Sequence, residues 1–261
     1  MPTARALVPT DRASLTAVAV ACDQSGILSV ADDRYLDHVR SYGEVLVSGR
    51  EGAVEAYGGV LDLDGVAYLT DLFVDPELRD RGHGRTLLAA LWEGRSGRVT
   101  SSSLDPRALS GYARYGALPR WPLLYLTLPG GGSPSVQVDE RDYVPGDAGW
   151  SLDLDGLLTL TVATESGEPA ATAVVRRQGD RYRVLRARTP DPKGLTELVA
   201  ELARRAGPGG AVSLVVPGPH PALPDLLSRG GRVDDVDLWC AADGVADLVD
   251  PTRELPSPAL A

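Results

Sequence analysis

The chain has 261 residues, 43% of them hydrophobic and 24% charged, with a formal net charge of −10. That length allows one large domain or two small ones, and the apolar share can fill real cores, which excludes global disorder. The acidic balance argues against non-specific binding to nucleic acid or to anionic membranes, and leans toward neutral or cationic small partners.

"TDRASLTAVAVACDQSG" opens on a Thr/Asp cap and closes at Gly26, and reads as a helix; "ADDRYLDHVRSYG" reads as a second, ending at Gly43. "EVLVSG", "AVEAYGGVLDLDG" and "VAYLTDLFVDP" are alternating or apolar runs punctuated by Gly and Asp, so they read as consecutive antiparallel strands. "GRTLLAALWEGRSG" is a helix with Leu87, Leu88 and Leu91 on one stripe. A strand "RVTSSSL", a short helix "DPRALSGYARYG" and a strand "LPRWPLLYLTL" follow. Leu128 to Gln137 shift to Gly, Pro and Ser and read as a linker, and "DPTRELPSPALA" reads as a frayed tail.

The second half repeats the first at an offset of 114 positions, without gaps in the punctuation. Gly65 falls on Gly179, Pro76 on Pro190, and "ALSGYARYG" at Ala108 on "ALPDLLSRG" at Ala222. A period this long means two copies of one domain. The expected division is residues 1–130, residues 131–250, and a flexible tail over 251–261.

Cys22 and Cys240 stand far apart and read as free thiols. His38, His83 and His220 lack ligand spacing, so no metal is expected. The start "MPTARALVPTDRA" lacks a long apolar region and no run approaches the ~18 residues of a membrane span, so a cytoplasmic protein with no membrane partner is expected.

"RDRGHGRTLLAAL", from Arg79, places Gly82 and Gly84 where a helix starts. The first N–H groups of a helix have no intrahelical partner and lie at the positive end of its dipole, ready for an anion. Glycine lets backbone approach a phosphate closely. The run is neither a Walker loop nor a dinucleotide fingerprint, and two glycines one residue apart equally mark a plain tight turn.

In context, a strand and a "VDP" turn precede R-x-x-G-x-G and a helix, which resembles the acyl-CoA-binding core of the GNAT acyltransferase superfamily, [QR]-x-x-G-x-[GA]. "DPRALSGYARYGALP" is similar to the family's second signature, with Asp105 at the Asn position, Ala108, Tyr112 and Gly116 matching, and Ala117 replacing an aromatic. The resemblance covers the first half. It implies an α+β tandem GNAT fold, each half a mostly antiparallel, splayed sheet flanked by helices. It also implies acetyl-CoA as co-substrate, in an acyltransferase acting on a primary amine of a small molecule, amino acid or peptide, as monomer or homodimer. A non-catalytic acyl-CoA-binding regulator is the alternative.

Site roles follow from the same resemblance. Backbone amides of Asp80, Arg81, Gly82, His83, Gly84 and Arg85 would cradle the pyrophosphate, with Arg79 positioning the loop and Asp105 at the second signature. Leu72, Phe73 and Val74 would bind the pantetheine arm through main-chain groups. Tyr112 stands at the family's usual general-acid position, its phenol protonated at neutral pH. Asp71 could accept a proton or hold an ammonium group, and could equally serve a turn amide. Thr70 replaces the family's Glu, which weakens a polyamine acceptor. Asp32, Tyr35, His38 and Trp121 are candidates for acceptor contact, although a solvated helix face accounts for the first three as well.

At the repeat offset Gly82 maps to Thr196, Gly84 to Leu198 and Tyr112 to Leu226. The expectation is a degenerate second copy that does not bind CoA and instead packs on the first.

Overall fold

A computed structural model describes residues 1–24, 29–132, 136–145 and 156–257. The first half opens with strand β1 (Ala4–Ala6) and helices α1 (Arg12–Ala21) and α2 (Asp33–Tyr42). Asp32 caps α2 through the Arg34 N–H, and Tyr35, Leu36 and Val39 turn its apolar stripe inward. The expected stop of the first helix at Gly26 lies outside the described residues. Strands β2 (Gly43–Arg50), β3 (Ala53–Leu63) and β4 (Val66–Val74) form the antiparallel meander. Asp64 and Gly65 supply the two positive φ values that a tight hairpin needs. Helix α3 (His83–Leu91), β5 (Gly97–Ser102), α4 (Pro106–Ala113) and β6 (Leu118–Pro129) complete this half.

The second half runs β7 (Val138–Asp142), β8 (Leu157–Ala163), β9 (Pro169–Gln178), β10 (Arg181–Arg188), α5 (Pro192–Ala206), β11 (Ala211–Pro217), α6 (Leu223–Ser228) and β12 (Arg232–Ala241). At the 114-residue offset β2 through β6 fall on β8 through β12, α3 on α5 and α4 on α6. The pairing repeats too: β4 is parallel to β5, and β10 to β11. The first half places α1 and α2 between β1 and β2; residues 146–155, between β7 and β8, lie outside the described residues.

The sheet order is β1-β2-β3-β4-β5-β12-β6-β11-β10-β9-β8-β7. It is palindromic under the repeat, and the last strand of each half has crossed over. β12 lies between β5 and β6, and β6 lies between β12 and β11. The expected boundary near residue 130 therefore separates sequences, not sheets.

The tail departs from expectation. Glu254–Leu255 form β13, antiparallel to β10 through Ala187↔Leu255 and Arg188↔Glu254. Thr189 N–H donates to the Arg253 carbonyl, and Leu255 and Ser257 are buried. Backbone pairing and the Leu255 anchor outweigh the polar composition that suggested fraying.

Among the described residues three apolar clusters form. One lies under α3 and α4, and a second under α5 and α6. The third, on the opposite face, packs Leu15, Tyr35 and Val39 of α1 and α2 against the sheet and continues into the second half through Val174, Leu185 and Val215. At its centre Trp121 of β6 stacks on Trp239 of β12, centroids 5.2 Å apart and planes 6° from parallel. Such a pair contributes about 0.5–1.5 kcal/mol beyond its buried area. Both cysteines are free thiols. Among the described residues no helix is long and apolar enough to cross a membrane, and no group of three or more His, Cys, Asp or Glu could hold a metal ion.

Candidate functional site

Strand β4 pairs with β5 only from Val66↔Gly97 to Leu69↔Thr100. Beyond that, β5 stays with β12 through Ser101↔Trp239 and Ser102↔Leu238, and among the described residues β4 from Thr70 to Val74 pairs on its β3 side only. The sheet is splayed where the resemblance implies. Leu72, Phe73 and Val74 lie along the opening, and the Val74 carbonyl accepts from the Cys22 thiol at 3.4 Å.

From β4 the chain makes one 3-10 turn at Pro76–Leu78, capped by Asp75, and enters Arg79–Gly82. Asp80 (φ 65°) and Gly82 (φ 91°) are left-handed. Gly82 caps α3 with no side-chain hydrogen bond, whereas Asp32, Asp105 and Asp191 cap α2, α4 and α5 with their carboxylates. The first intrahelical bond of α3 runs from Thr86 N–H to the Gly82 carbonyl, so the amides of His83, Gly84 and Arg85 have no helical acceptor. A methyl group on Gly84 would stand 3.4 Å from Val74 Cγ2, between the helix start and the end of β4. Uncapped amides on bare backbone at a splayed strand fit a diphosphate with an extended arm.

Side chains hold this loop in place. His83 is buried; its Nδ1 lies 3.0 Å from Ser48 Oγ and its Nε2 3.6 Å from Glu55. Burial raises the Cys22 thiol pKa, and Arg79 beside it works the other way. Asp80 lies 3.7 Å from Arg107, which also pairs with Asp105. Arg81 and Arg85 are exposed at the rim.

Past the opening, on the α1–α2 face, the β3–β4 register shifts and leaves Thr70 as the extra residue of a bulge. The bulge brings Thr70 and Asp71 together: Thr70 Oγ1 and the Tyr35 hydroxyl both donate to Asp71 Oδ2, at 2.8 and 2.7 Å. Burial drives the Asp71 pKa up to about 6, and the two donors pull against it. Tyr112 of α4 packs on Trp92, ring centroids 5.7 Å apart, in the α3–α4 core. Burial pushes its phenol well above the ordinary range, and the Cys240 and Asp237 of β12 add to the shift. Tyr112 stays protonated at any physiological pH.

The four expected acceptor contacts are placed differently from one another. Asp32 is a helix cap paired with Arg34 at 3.1 Å. Tyr35 is fully buried and serves Asp71. His38 is buried, with its ring 4.9 Å from Tyr42. Trp121 belongs to the stack between the halves. The fold brings Tyr35 to Asp71; it leaves Asp32 as the N-cap of α2.

Sequence reading missed the groups that β12 and β6 bring to this face. Asp237 accepts from the Tyr125 hydroxyl at 2.7 Å, and burial raises its pKa. Tyr68 donates to the Ser257 carbonyl at 3.0 Å and lies 5.6 Å from Trp239. The alternation Asp235, Asp237, Trp239 shows that one strand face carries acids and an indole. Only the strand exchange shows which half they serve.

Residues 20–98 match the model of the acetyltransferase (GNAT) family. Solved structures with a similar fold include a protein from Pyrococcus horikoshii taken to be an acetyltransferase, with 12% identity over 100% of this chain and 96% of that one, at a TM-score of 0.74. A GCN5-related N-acetyltransferase from Sphaerobacter thermophilus has 15% identity over 100% of this chain and 98% of that one, at 0.61. A tandem GNAT protein from the clavulanic acid biosynthesis pathway has 15% identity over 93% and 98%, at 0.62. At such identities these likenesses are of fold. No curated protein matches the chain. The family match covers residues 20–98, and the fold of the whole chain is like that of a tandem GNAT protein.

Proposed function

We propose that the protein is an acyl-CoA-dependent N-acyltransferase that moves an acetyl group from acetyl-CoA to a primary amine of a small molecule, amino acid or peptide. The observation that carries this reading is the uncapped, glycine-led start of α3 beside the free edge of β4. The amides of Gly82 to Arg85 take the diphosphate, and the Leu72–Val74 backbone takes the pantetheine arm. Acetyl-CoA, when bound, supplies an activated thioester. Asp71, with a pKa near neutrality, takes a proton from the incoming ammonium group, directly or through water. Tyr112, kept protonated by burial, gives one to the leaving sulfur.

The second half is a copy that does not use the cofactor. Asp191 caps α5 through the Lys193 N–H, and α5 starts early enough that Thr196 and Leu198 lie inside it, buried. Gly194 lies so close to Ala170 that a methyl group there would come within 2.7 Å of its backbone. Leu226 replaces the tyrosine and is fully buried. Strand β13 pairs with Ala187 and Arg188, which correspond to Phe73 and Val74, so the tail occupies the place of a cofactor arm.

Gly82→Val should abolish CoA binding in calorimetry while the melting transition stays cooperative; unchanged affinity refutes the phosphate assignment. Tyr112→Phe should lower kcat about a hundredfold or more with little change in CoA affinity. A variant that turns over normally removes Tyr112 from the mechanism.

A further inference from the structure

A cavity of about 160 Å³ opens on the second half, lined by Arg176, Gln178, Arg181, Tyr182, Arg183 and Ser213. Arg176 and Arg183 are direct cross-strand partners, and Arg183 is in register with Ser213 on its other side. Like charges directly opposite each other in a sheet repel. Among the described residues none of the three arginines makes an ion pair. The chain carries ten more acidic than basic residues, so unneutralised arginines gathered in one cleft stand out. Desolvation lowers the Arg183 pKa, and the charge of Arg176 lowers it further. Asp32 feels Arg176 but is committed to Arg34.

The cleft lies on the face that carries Asp71. Val174 and Val215 belong to the same cluster as Tyr35 and Tyr68, and Arg176 and Ser213 stand two residues from them, on the same side of the sheet. Tyr182 and Val184, flanking Arg183, point to the α5 core, so Arg183 points away from it. Between cleft and reaction centre stands Tyr125, bonded to Asp237 and within the fields of both Tyr68 and Arg183. A planar guanidinium pair with a hydroxyl and an amide alongside matches a carboxylate or phosphate.

We propose that Arg176, Arg181 and Arg183 bind an oxyanion carried by the acceptor, so that the acceptor is an elongated, peptide-sized amine with its anionic end in the second half. The inference rests on the acyltransferase reading for the amine end only; the anion site stands by itself. Two different measurements test the two parts.

In the first, the full chain in low-salt buffer is titrated with succinate and, separately, with inorganic phosphate, followed by the arginine Nε–H resonances and by calorimetry. Saturable millimolar binding is expected, weakened at least about tenfold in Arg176→Gln/Arg183→Gln with CoA affinity unchanged. The anion that binds more tightly identifies the group. No binding of either anion, or equal binding by the variant, overturns the site. In the second, paired amines differing only in a terminal carboxylate or carboxamide are offered with acetyl-CoA. The wild type should prefer the carboxylate through KM, and the double variant should lose that preference while acetylating the carboxamide as before. Acetylation blind to the carboxylate overturns the acceptor role. Anion binding without acetylation of any amine leaves the site standing and counts against the acyltransferase reading.

Discussion

Asp71 holds its carboxyl where the surrounding protein works against the charge. Burial raises its pKa from 3.8 to about 6, even though Tyr35 and Thr70 donate to it. The folded chain therefore binds a proton that the unfolded chain has released between those two values. The stability this gives is complete below the unfolded pKa and is lost as pH rises through 6, up to about 3 kcal/mol. Asp71→Asn keeps one oxygen for both donors and removes the charge. The variant should melt at or above wild type at pH 8, with the difference shrinking as pH falls below 6, and should lose most transfer activity. In the wild type, kcat/KM should fall on the acid side with an apparent pKa about 6. A pH-independent melting difference would disconnect Asp71 from this balance. The sequence showed Asp71 as one acid on a strand. Its meaning comes from the bulge at Thr70 and from Tyr35, thirty-six residues away, which no local pattern announces.

Elements were legible where the chain punctuates itself. Caps such as Asp32 and Asp105, and turns such as Asp64–Gly65, mark boundaries because the backbone there needs a particular side chain or a positive φ. The start of α3 was legible for the same reason, since two glycines replace the cap. The tail was not. Strand β13 is two residues long, and its order comes from the open edge of β10 and the socket for Leu255, both properties of distant sequence. Leu255→Ala should cost about 2–5 kcal/mol, measured by denaturant unfolding. Deleting residues 253–261 should destabilise at least as much, yet leave CoA binding at one per chain, because α5 keeps its Asp191 cap. A second CoA bound by the truncated chain would show that the tail alone blocks that half.

Across the molecule, the repeat foretold two copies but not their interlocking. Each half's periodicity is satisfied equally by its own last strand or by its twin's, because β6 and β12 are repeats of one another. The exchange decides how the halves behave apart. Residues 1–130 alone lack β12, so β5 keeps only its short pairing with β4 and Trp121 loses its stack. That fragment should be unfolded or self-associated by light scattering and circular dichroism, and coexpression with residues 136–261 should restore a soluble complex. A monomeric, cooperatively folded fragment would mean that β6 can return to its own half.

Chains built as two lobes on a hinge can close around what they bind. Here the walls on either side of Tyr125 are stitched together by backbone pairing, and moving one against the other would tear β6 from β12. On the proposed reading, discrimination among acceptors would then reside in fixed furniture, the groups set at chosen distances along an unbending floor. Substrate length would become something the protein measures as a ruler does.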